Sequence, residues 1–117
     1  MIKGIGLDIL EIARFESLYL KWGTKLTNKL FNKDEVVSAK SQKRFIETLS
    51  GKFAAKEAIS KALGTGIGSF VSFKDIKIIK NNAGKPIVIY RGKESKVIHL
   101  SISHSNNYAA AFAVIEE

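Results

Sequence analysis

The sequence predicts an α+β domain in which an antiparallel sheet packs against a long helix. Two observations support this fold class. Apolar residues recur at helical spacing through much of the first half of the chain, whereas short apolar runs separated by turn residues fill the second half. One further apolar run opens the sequence. Strands that follow helices, rather than alternating with them, are typical of antiparallel α+β domains.

Residues 2–10 predict the first strand. Its apolar side chains at positions 5, 7 and 9 share one face, because side chains alternate along a strand. The other face carries Gly4, Gly6 and Asp8, so it is bare except for one carboxylate. Glycine weakens a strand and often marks the close approach of a ligand or of another backbone.

Helical spacing predicts a helix over residues 11–20. Residues 21–43 are polar and broken, with a short helix expected near residues 34–40. A long helix is predicted from about Arg44 to Leu63, and Gly64 is the expected stop because glycine commonly ends helices.

Two hairpins are predicted after the helices. The first joins the runs DIKII and PIVIY around NNAGK, with Pro86 at a strand start or edge because proline cannot donate to a ladder. The second joins VIHLSIS and YAAAFAVIE around HSNN. The last run is apolar on both faces, which predicts a central strand.

Length and composition indicate one domain, residues 1–117, that can bury a core because 45% of the residues are hydrophobic. A domain this small buries a modest share of its surface, so oligomerisation is expected. No apolar run approaches the roughly 20 residues of a membrane span, which predicts no membrane insertion. The opening run holds Lys3 and Asp8 and no small-residue cleavage site, so it resembles a strand more than a signal peptide.

The residue types present restrict the chemistry. The chain has no cysteine, which excludes disulfides, thiolate nucleophiles and cysteine-rich zinc sites and fits a cytoplasmic protein. Two histidines are too few for most histidine metal sites, whereas an oxygen-ligated cation such as Mg²⁺ stays open. The net charge of +8 indicates an anionic partner (nucleic acid, a phosphorylated metabolite or an acidic protein) or a solvated lysine-rich surface.

The long helix carries Glu57 and Lys61 one turn apart. One interpretation is a surface ion pair, which stabilises a helix by a few tenths of a kcal/mol. The other is a carboxylate that binds a cation beside a lysine that binds phosphate, and it gains weight if Asp8 reaches the same cation. Lys52 and Lys56 project to the opposite side of the helix, where ordinary solvation is expected.

Four further features suit phosphate or an acidic partner. Lys43 and Arg44 open the long helix, where free backbone amides favour anions. The glycine-rich segment 64–69 either wraps an anion in amides or simply ends the helix, and it is not a Walker motif. His104, at a strand end, is a turn residue or an acid–base or phosphate-binding group. Arg14 is either a surface residue or faces an acidic partner.

Several stretches are shared with one family. GIGLDILEIARF and GKFAAKEAISKALGTGIG resemble two signatures, and VSFKDIKII, NAGKP and LSISHSNNYAAAFAVIE follow in matching order. Together they resemble the holo-acyl-carrier-protein synthases, the small bacterial 4′-phosphopantetheinyl transferases. The resemblance covers nearly the whole chain. Its most specific elements are Asp8 and the Lys-Glu-Ala-x-x-Lys-Ala core.

The resemblance implies a function, a fold and an assembly. The function is Mg²⁺-dependent transfer of 4′-phosphopantetheine from coenzyme A to a serine of apo acyl carrier protein, which releases adenosine 3′,5′-bisphosphate and serves fatty acid biosynthesis. The fold is that of 4′-phosphopantetheinyl transferases, assembled as a homotrimer with active sites at subunit interfaces.

The resemblance also implies roles for individual residues. Asp8 and Glu57 bind Mg²⁺, and Lys61 contacts the reacting phosphate or the leaving group. Either Glu57 or a metal-bound water takes the serine proton. Arg14 faces the acidic carrier protein. Coenzyme A is held by five residues of one subunit and by a turn from its neighbour: Lys43, Arg44, Lys52, Gly64 and His104, with Gly84, Lys85 and Pro86.

The chain departs from the family pattern at a few positions. Lys52 stands where arginine is usual, which keeps the charge but loses a bidentate phosphate fork. Ile59 replaces a frequent phenylalanine, and asparagines stand in the 81–86 turn where aspartate is common. Two other classes compete: a basic module that binds nucleic acid, for which no motif is present, and an inactive trimer that scaffolds a carrier protein. Intact Asp8, Glu57 and Lys61 argue against the scaffold.

Overall fold

The computed structural model describes residues 1–117 as three helices and six strands. In chain order they are β1 (Ile2–Glu11), α1 (Ile12–Trp22), α2 (Thr24–Leu30), α3 (Gln42–Ala62), β2 (Ile76–Lys80), β3 (Pro86–Tyr90), β4 (Lys93–Glu94), β5 (Ile98–His104) and β6 (Tyr108–Glu116). Two short 3₁₀ turns, Lys33–Glu35 and Phe73–Asp75, precede α3 and β2.

The strands form two antiparallel sheets, ordered β1-β6-β5 and β2-β3-β4. Both predicted hairpins are confirmed, since β2 pairs with β3 and β5 pairs with β6. The prediction that the last strand is central is also confirmed, because β6 lies between β1 and β5. Alanines fill its inner face at positions 109, 111 and 113, all buried, so α3 can lie close against it.

The glycines of β1 allow α3 to approach the sheet very closely. A Cβ atom at Gly6 would lie 1.9 Å from the carbonyl oxygen of Ala58, and one at Gly4 would lie 2.0 Å from that of Ala62. No side chain fits there. The bare face of the first strand is therefore a seat for α3, as its glycines indicated.

Two apolar clusters hold the molecule together, and α3 contributes to both. One joins the second half of α3 to both sheets, with Ile59, Ile76, Ile78 and Val88 among its members. The other joins the first half of α3 to α1 and to the end of α2. Its seven buried residues are Ile12, Phe15, Leu30, Phe31, Ile46, Leu49 and Ala109. The long helix is thus the common wall of the two clusters.

The segment between α1 and α3 differs from the prediction. A helix, α2, occupies residues 24–30, which were predicted to be broken. The sequence did not indicate this helix because only Thr27 and Leu30 of its seven residues are buried, so its apolar period is faint. The helix expected near residues 34–40 is wrong. A single 3₁₀ turn stands there and ends at Glu35, whose side chain caps the Asn32 amide instead of projecting from a longer helix.

The outer face of the β1-β6-β5 sheet is apolar and open. Ile5, Leu7 and Ile9 are each more than half exposed, and Phe112 of β6 lies opposite Leu7. Their register makes a continuous apolar stripe across neighbouring strands. None of the helices combines the length and the apolar character needed to span a membrane.

Candidate active site

Strand β1 and helix α3 bring the predicted catalytic side chains together. The Lys61 ammonium donates to Asp8 Oδ1 at 3.1 Å and to the Leu7 carbonyl at 3.0 Å. Lys61 is therefore paired across the strand–helix interface with Asp8, and no ion pair joins it to Glu57 within 4.0 Å. The simple surface pair along one helix is not what this side chain forms.

Glu57 lies in the field of both partners. Its partial burial raises the pKa of the carboxyl above the usual value, and the nearby Asp8 carboxylate raises it further, while Lys61 opposes the shift. A bound cation would relieve the repulsion that the Asp8 carboxylate exerts on ionised Glu57. Asp8 and Glu57 therefore have the donor chemistry of a small oxygen-ligated site.

This pair of carboxylates is a sparse ligand set. No cluster of three or more Asp, Glu, His or Cys side chains suited to a metal occurs in the chain. Mg²⁺ usually takes one or two carboxylates and fills its remaining positions with water and substrate phosphate. The residues present fit that ion, and they do not fit zinc, whose protein sites use three or four nitrogen, sulfur or oxygen ligands.

A cleft of about 350 Å³ opens beside the first half of α3. It lies between that helix, the end of β5 and the turn before β3. Four of its side chains are basic, one is acidic, and the rest are small or apolar. They are Arg44, Glu47, Thr48, Gly51, Lys52, Ile78, Lys80, Gly84, Pro86, Ile102 and His104. A concave surface with this charge suits a phosphorylated ligand.

Five of the eight residues predicted to hold coenzyme A line this cleft: Arg44, Lys52, Gly84, Pro86 and His104. The other three lie elsewhere. Lys43 is exposed on the first turn of α3, and Lys85 lines a separate groove between β3 and β5. Gly64, at a φ of 86°, ends α3 and donates its amide to the Lys61 carbonyl.

The glycine-rich segment after α3 is a helix stop. The amides of Thr65 and Gly66 both donate to the Ser60 carbonyl, and that of Gly68 donates to Val71. Together with the Gly64 amide these donors are already used within the backbone. Of the two interpretations of this segment, the structure therefore favours helix termination over an anion nest.

The expectation that Lys52 and Lys56 are solvated is wrong. Lys52 is 5% exposed and Lys56 is fully buried. The far side of α3 does not face water, because the Lys33–Glu35 turn, Phe31 and β2 pack against it. Burial lowers the pKa of both lysines, and in each case the Glu35 carboxylate opposes the shift.

Comparison with known proteins identifies the family. The model of the 4′-phosphopantetheinyl transferase superfamily matches residues 4–113. The chain belongs to this superfamily. It is 49% identical to the holo-[acyl-carrier-protein] synthase of a Geobacillus species, over 99% of this chain and 98% of that protein.

Solved structures of similar transferases share the fold. The holo-(acyl-carrier-protein) synthase of Bacillus anthracis, in complex with CoA (3′,5′-ADP), has a TM-score of 0.85 and 41% identity over 100% of this chain and 98% of that one. That of Helicobacter pylori, in complex with coenzyme A, has a TM-score of 0.83 and 35% identity over 96% and 99%. The α+β architecture with antiparallel sheets is therefore that of a 4′-phosphopantetheinyl transferase.

The transferase has cleft residues that sequence reasoning missed. Glu47 and Thr48 lie on the stripe of α3 that also carries Arg44 and Gly51, so helical spacing from Arg44 offered a signal. Lys80 gave none, because the end of an apolar strand is an ordinary place for a solvated lysine. Its approach to the cleft depends on the contact between the two sheets and α3.

Arg14 lies away from the cleft, on the exposed side of α1. It lines a shallow groove with Leu18 and Lys21, and a second groove along α2 includes Trp22 and Lys29. Leu18 and Trp22 are about half exposed, and the Lys21 ammonium lies 5.2 Å from the Trp22 ring centre. This surface of the transferase combines positive charge with exposed apolar groups.

Proposed function

We propose that this transferase moves the 4′-phosphopantetheine group of coenzyme A to a serine of apo acyl carrier protein, releasing adenosine 3′,5′-bisphosphate. One observation carries the proposal: helix α3 of this superfamily member lines a basic cleft with its first half and, with its second half, brings Glu57 and Lys61 to Asp8 of β1. Residues 1–117 would act as one domain. By family resemblance, its proposed role is in fatty acid biosynthesis, in the cytoplasm.

Coenzyme A is the proposed donor, and the cleft is its proposed site. Arg44, Lys52 and His104 offer hydrogen-bond donors to its phosphates, and Lys80 adds a fourth basic group. Gly84 and Pro86 contribute backbone and an apolar edge. Lys43, Gly64 and Lys85, which lie outside the cleft of the single chain, stay predicted contacts of the longer coenzyme A molecule.

Asp8 and Glu57 are the proposed holders of Mg²⁺, whose chemistry when bound is to neutralise and align the phosphates of the donor. The chain's own groups supply the rest. Lys61, fixed by Asp8 and the Leu7 carbonyl, adds a positive charge where the leaving phosphate becomes negative. The serine must lose its proton, which passes to Glu57 or to a water beside it.

A homotrimer with coenzyme A between subunits is the proposed assembly. Its support is the open apolar stripe of β1 and β6, which a monomer of this size would leave in water. In the single chain, Gly84 and Pro86 already line the cleft with Arg44. The turn that a neighbouring subunit is expected to supply, which includes Lys85, would then add further contacts to coenzyme A.

The acidic carrier protein is proposed to dock on α1 and α2. Arg14, Lys21 and Lys29 give this surface a positive charge, and Leu18 and Trp22 give it apolar anchors. Electrostatic complementarity of this kind steers encounter and fixes orientation. The site for the acceptor serine would lie toward Asp8, at the other end of β1 from its N-terminus.

Intact-protein mass spectrometry of an apo acyl carrier protein tests the function. The carrier is incubated with the transferase, coenzyme A and Mg²⁺, with an EDTA control. A mass gain of one phosphopantetheine arm in the Mg²⁺ sample only is the expected result. No gain with several carrier proteins would contradict the proposal, and nucleic-acid binding with its steep salt dependence would be tested next.

A further inference from the structure

A fully buried ion pair joins Glu35 to Lys56, outside the group proposed for catalysis. The Lys56 ammonium lies 2.7 Å from Glu35 Oε1 and donates also to the carbonyls of Leu30 and Phe73, both at 2.9 Å. All three of its N–H groups therefore have partners. The Phe31 ring lies 5.1 Å from the same nitrogen.

The Glu35 carboxylate is equally well satisfied. Its Oε1 accepts from the backbone and side-chain nitrogens of Asn32 at 2.9 and 3.1 Å, and its Oε2 accepts from the Ile78 amide at 2.8 Å. One side chain thus fixes the 3₁₀ turn against both β2 and α3. The position and direction of the Glu35 backbone carbonyl are set by these bonds.

Stability alone is a weak reason to keep such a pair. Removing two charges from water costs several kcal/mol per ion, and apolar replacements of similar volume are often as stable. What a buried, fully bonded pair does supply is a single geometry for the segments that it joins. The residues that bind the Lys33–Glu35 turn therefore indicate which site depends on its geometry.

The Glu35 carbonyl binds a side chain that lines the cleft. It accepts a hydrogen bond of 2.7 Å from the Lys52 ammonium, one helical turn before Lys56. Lys52 lines the cleft and has no other hydrogen bond within the protein, so two of its three N–H groups remain for a ligand. Burial lowers the pKa of Lys52 and the Glu35 carboxylate opposes that shift, so Glu35 also favours the charged form of Lys52.

We propose that the Glu35–Lys56 pair is a positioning device for coenzyme A, because it fixes the carbonyl that holds the Lys52 ammonium at the cleft wall. The proposal rests on the proposed function, since it takes coenzyme A as the occupant of the cleft. Lys52 is the residue that touches the ligand's phosphate. Glu35 and Lys56 touch no substrate and act through Lys52. Because they hold its ammonium in place, Lys52 can bind phosphate although it lacks the rigid fork of an arginine.

A double-mutant cycle tests this coupling. The variants are E35Q/K56M, which removes both buried charges at similar volume, K52M, and the three changes combined. The control is K77M, which removes the exposed Lys77–Asp34 pair, 2.8 Å long, from the same turn without reaching the cleft. KM and kcat for coenzyme A are measured for each, together with Kd by calorimetry.

The proposal expects KM and Kd for coenzyme A to rise about tenfold in E35Q/K56M and in K52M, with kcat changed less than about twofold. In the K52M background, removing the buried pair should raise KM and Kd by less than about a further twofold, because the pair acts only through Lys52. K77M should leave KM unchanged. Unaltered KM in folded E35Q/K56M, or effects that multiply fully, would overturn the proposal.

Two further measurements keep the outcome decisive. If E35Q/K56M does not fold, the Lys52 ammonium is observed by ¹⁵N NMR in the wild-type chain. Slow proton exchange with a coupling to the Glu35 carbonyl supports the proposal, and a freely exchanging ammonium contradicts it. If the wild type binds coenzyme A but transfers nothing, the proposed function fails while the Kd cycle still decides this inference. If it does not bind coenzyme A, both fail.

Discussion

Glu57 is the side chain on which the proposed metal site depends most. It is partly buried, faces the Asp8 carboxylate, and has no ion pair of its own. We expect Glu57→Gln to lower Mg²⁺-dependent transfer by at least about a hundredfold, because one of two protein ligands is lost. The assay is carrier-protein mass gain against time. Glu94→Gln, an exposed carboxylate paired with Lys96, is the control, and equal activity in both variants would refute the assignment.

The same carboxylate makes a prediction about stability without metal. Its folded pKa is raised, so the folded state binds the proton more tightly than the unfolded chain does. The contribution of Glu57 to the free energy of unfolding is complete below its pKa in the unfolded chain, and it is lost as the pH rises through its pKa in the folded state. In EDTA, we therefore expect Glu57→Gln to raise Tm at pH 7 and to leave it nearly unchanged at pH 4. A lower Tm at pH 7 would show that burial and the Asp8 carboxylate do not disfavour the charge of Glu57.

Lys61 should matter more to the chemical step than to binding. Its ammonium is held by Asp8 and the Leu7 carbonyl, beside the proposed site of reaction. We expect Lys61→Ala to lower kcat about 10- to 100-fold and to change KM for coenzyme A less than about threefold, as loss of a transition-state contact does. Steady-state kinetics decide this, with Lys96→Ala as control. A change confined to KM would remove Lys61 from the chemistry.

Strand β1 and helix α3 pack so closely that a single added methyl group should destabilise the chain. A Cβ at Gly6 would lie 1.9 Å from a backbone oxygen of α3, which cannot move as a flexible side chain can. Gly6→Ala should destabilise the chain by about 3 kcal/mol or more. Urea unfolding measures it. Gly68→Ala, with open space around it and no positive φ, should change the midpoint little, and equal midpoints would mean that α3 shifts freely.

Features that depend on local sequence were predicted, whereas contacts between residues distant in the chain were not. The glycines of β1 and both hairpins were predicted because period and turn residues are local signals. Burial of Lys56 was not, since it depends on Glu35, 21 residues away, reaching the far side of α3. A lysine with a buried partner and one in water have the same local sequence. The Asp8–Lys61 ion pair was not predicted either, since it joins residues that are 53 positions apart in the chain.

The outer stripe of the β1-β6-β5 sheet should control assembly. The Leu7 side chain points outward and is 62% exposed, while its carbonyl binds Lys61, so the side chain can change without touching that bond. Leu7→Lys should convert the proposed trimer to monomers in analytical ultracentrifugation and weaken coenzyme A binding. Val37→Lys, exposed but off this sheet, is the control. A monomeric wild type would refute the assembly itself.

The central place of β6 sets the order in which the molecule can be completed during synthesis. Asp8 belongs to the first strand, yet the one strand that pairs with it is β6, the last in chain order. A growing chain therefore carries Asp8 and all of α3 long before anything can clamp them together, and closure across that sequence separation is slow. Until β6 has been made, the backbone of β1 is an unpaired strand edge and its apolar side chains are exposed, so β1 can pair with other chains. Nascent chains stalled before residue 108 should accordingly need a chaperone's protection, although nearly every residue of the active site has been made.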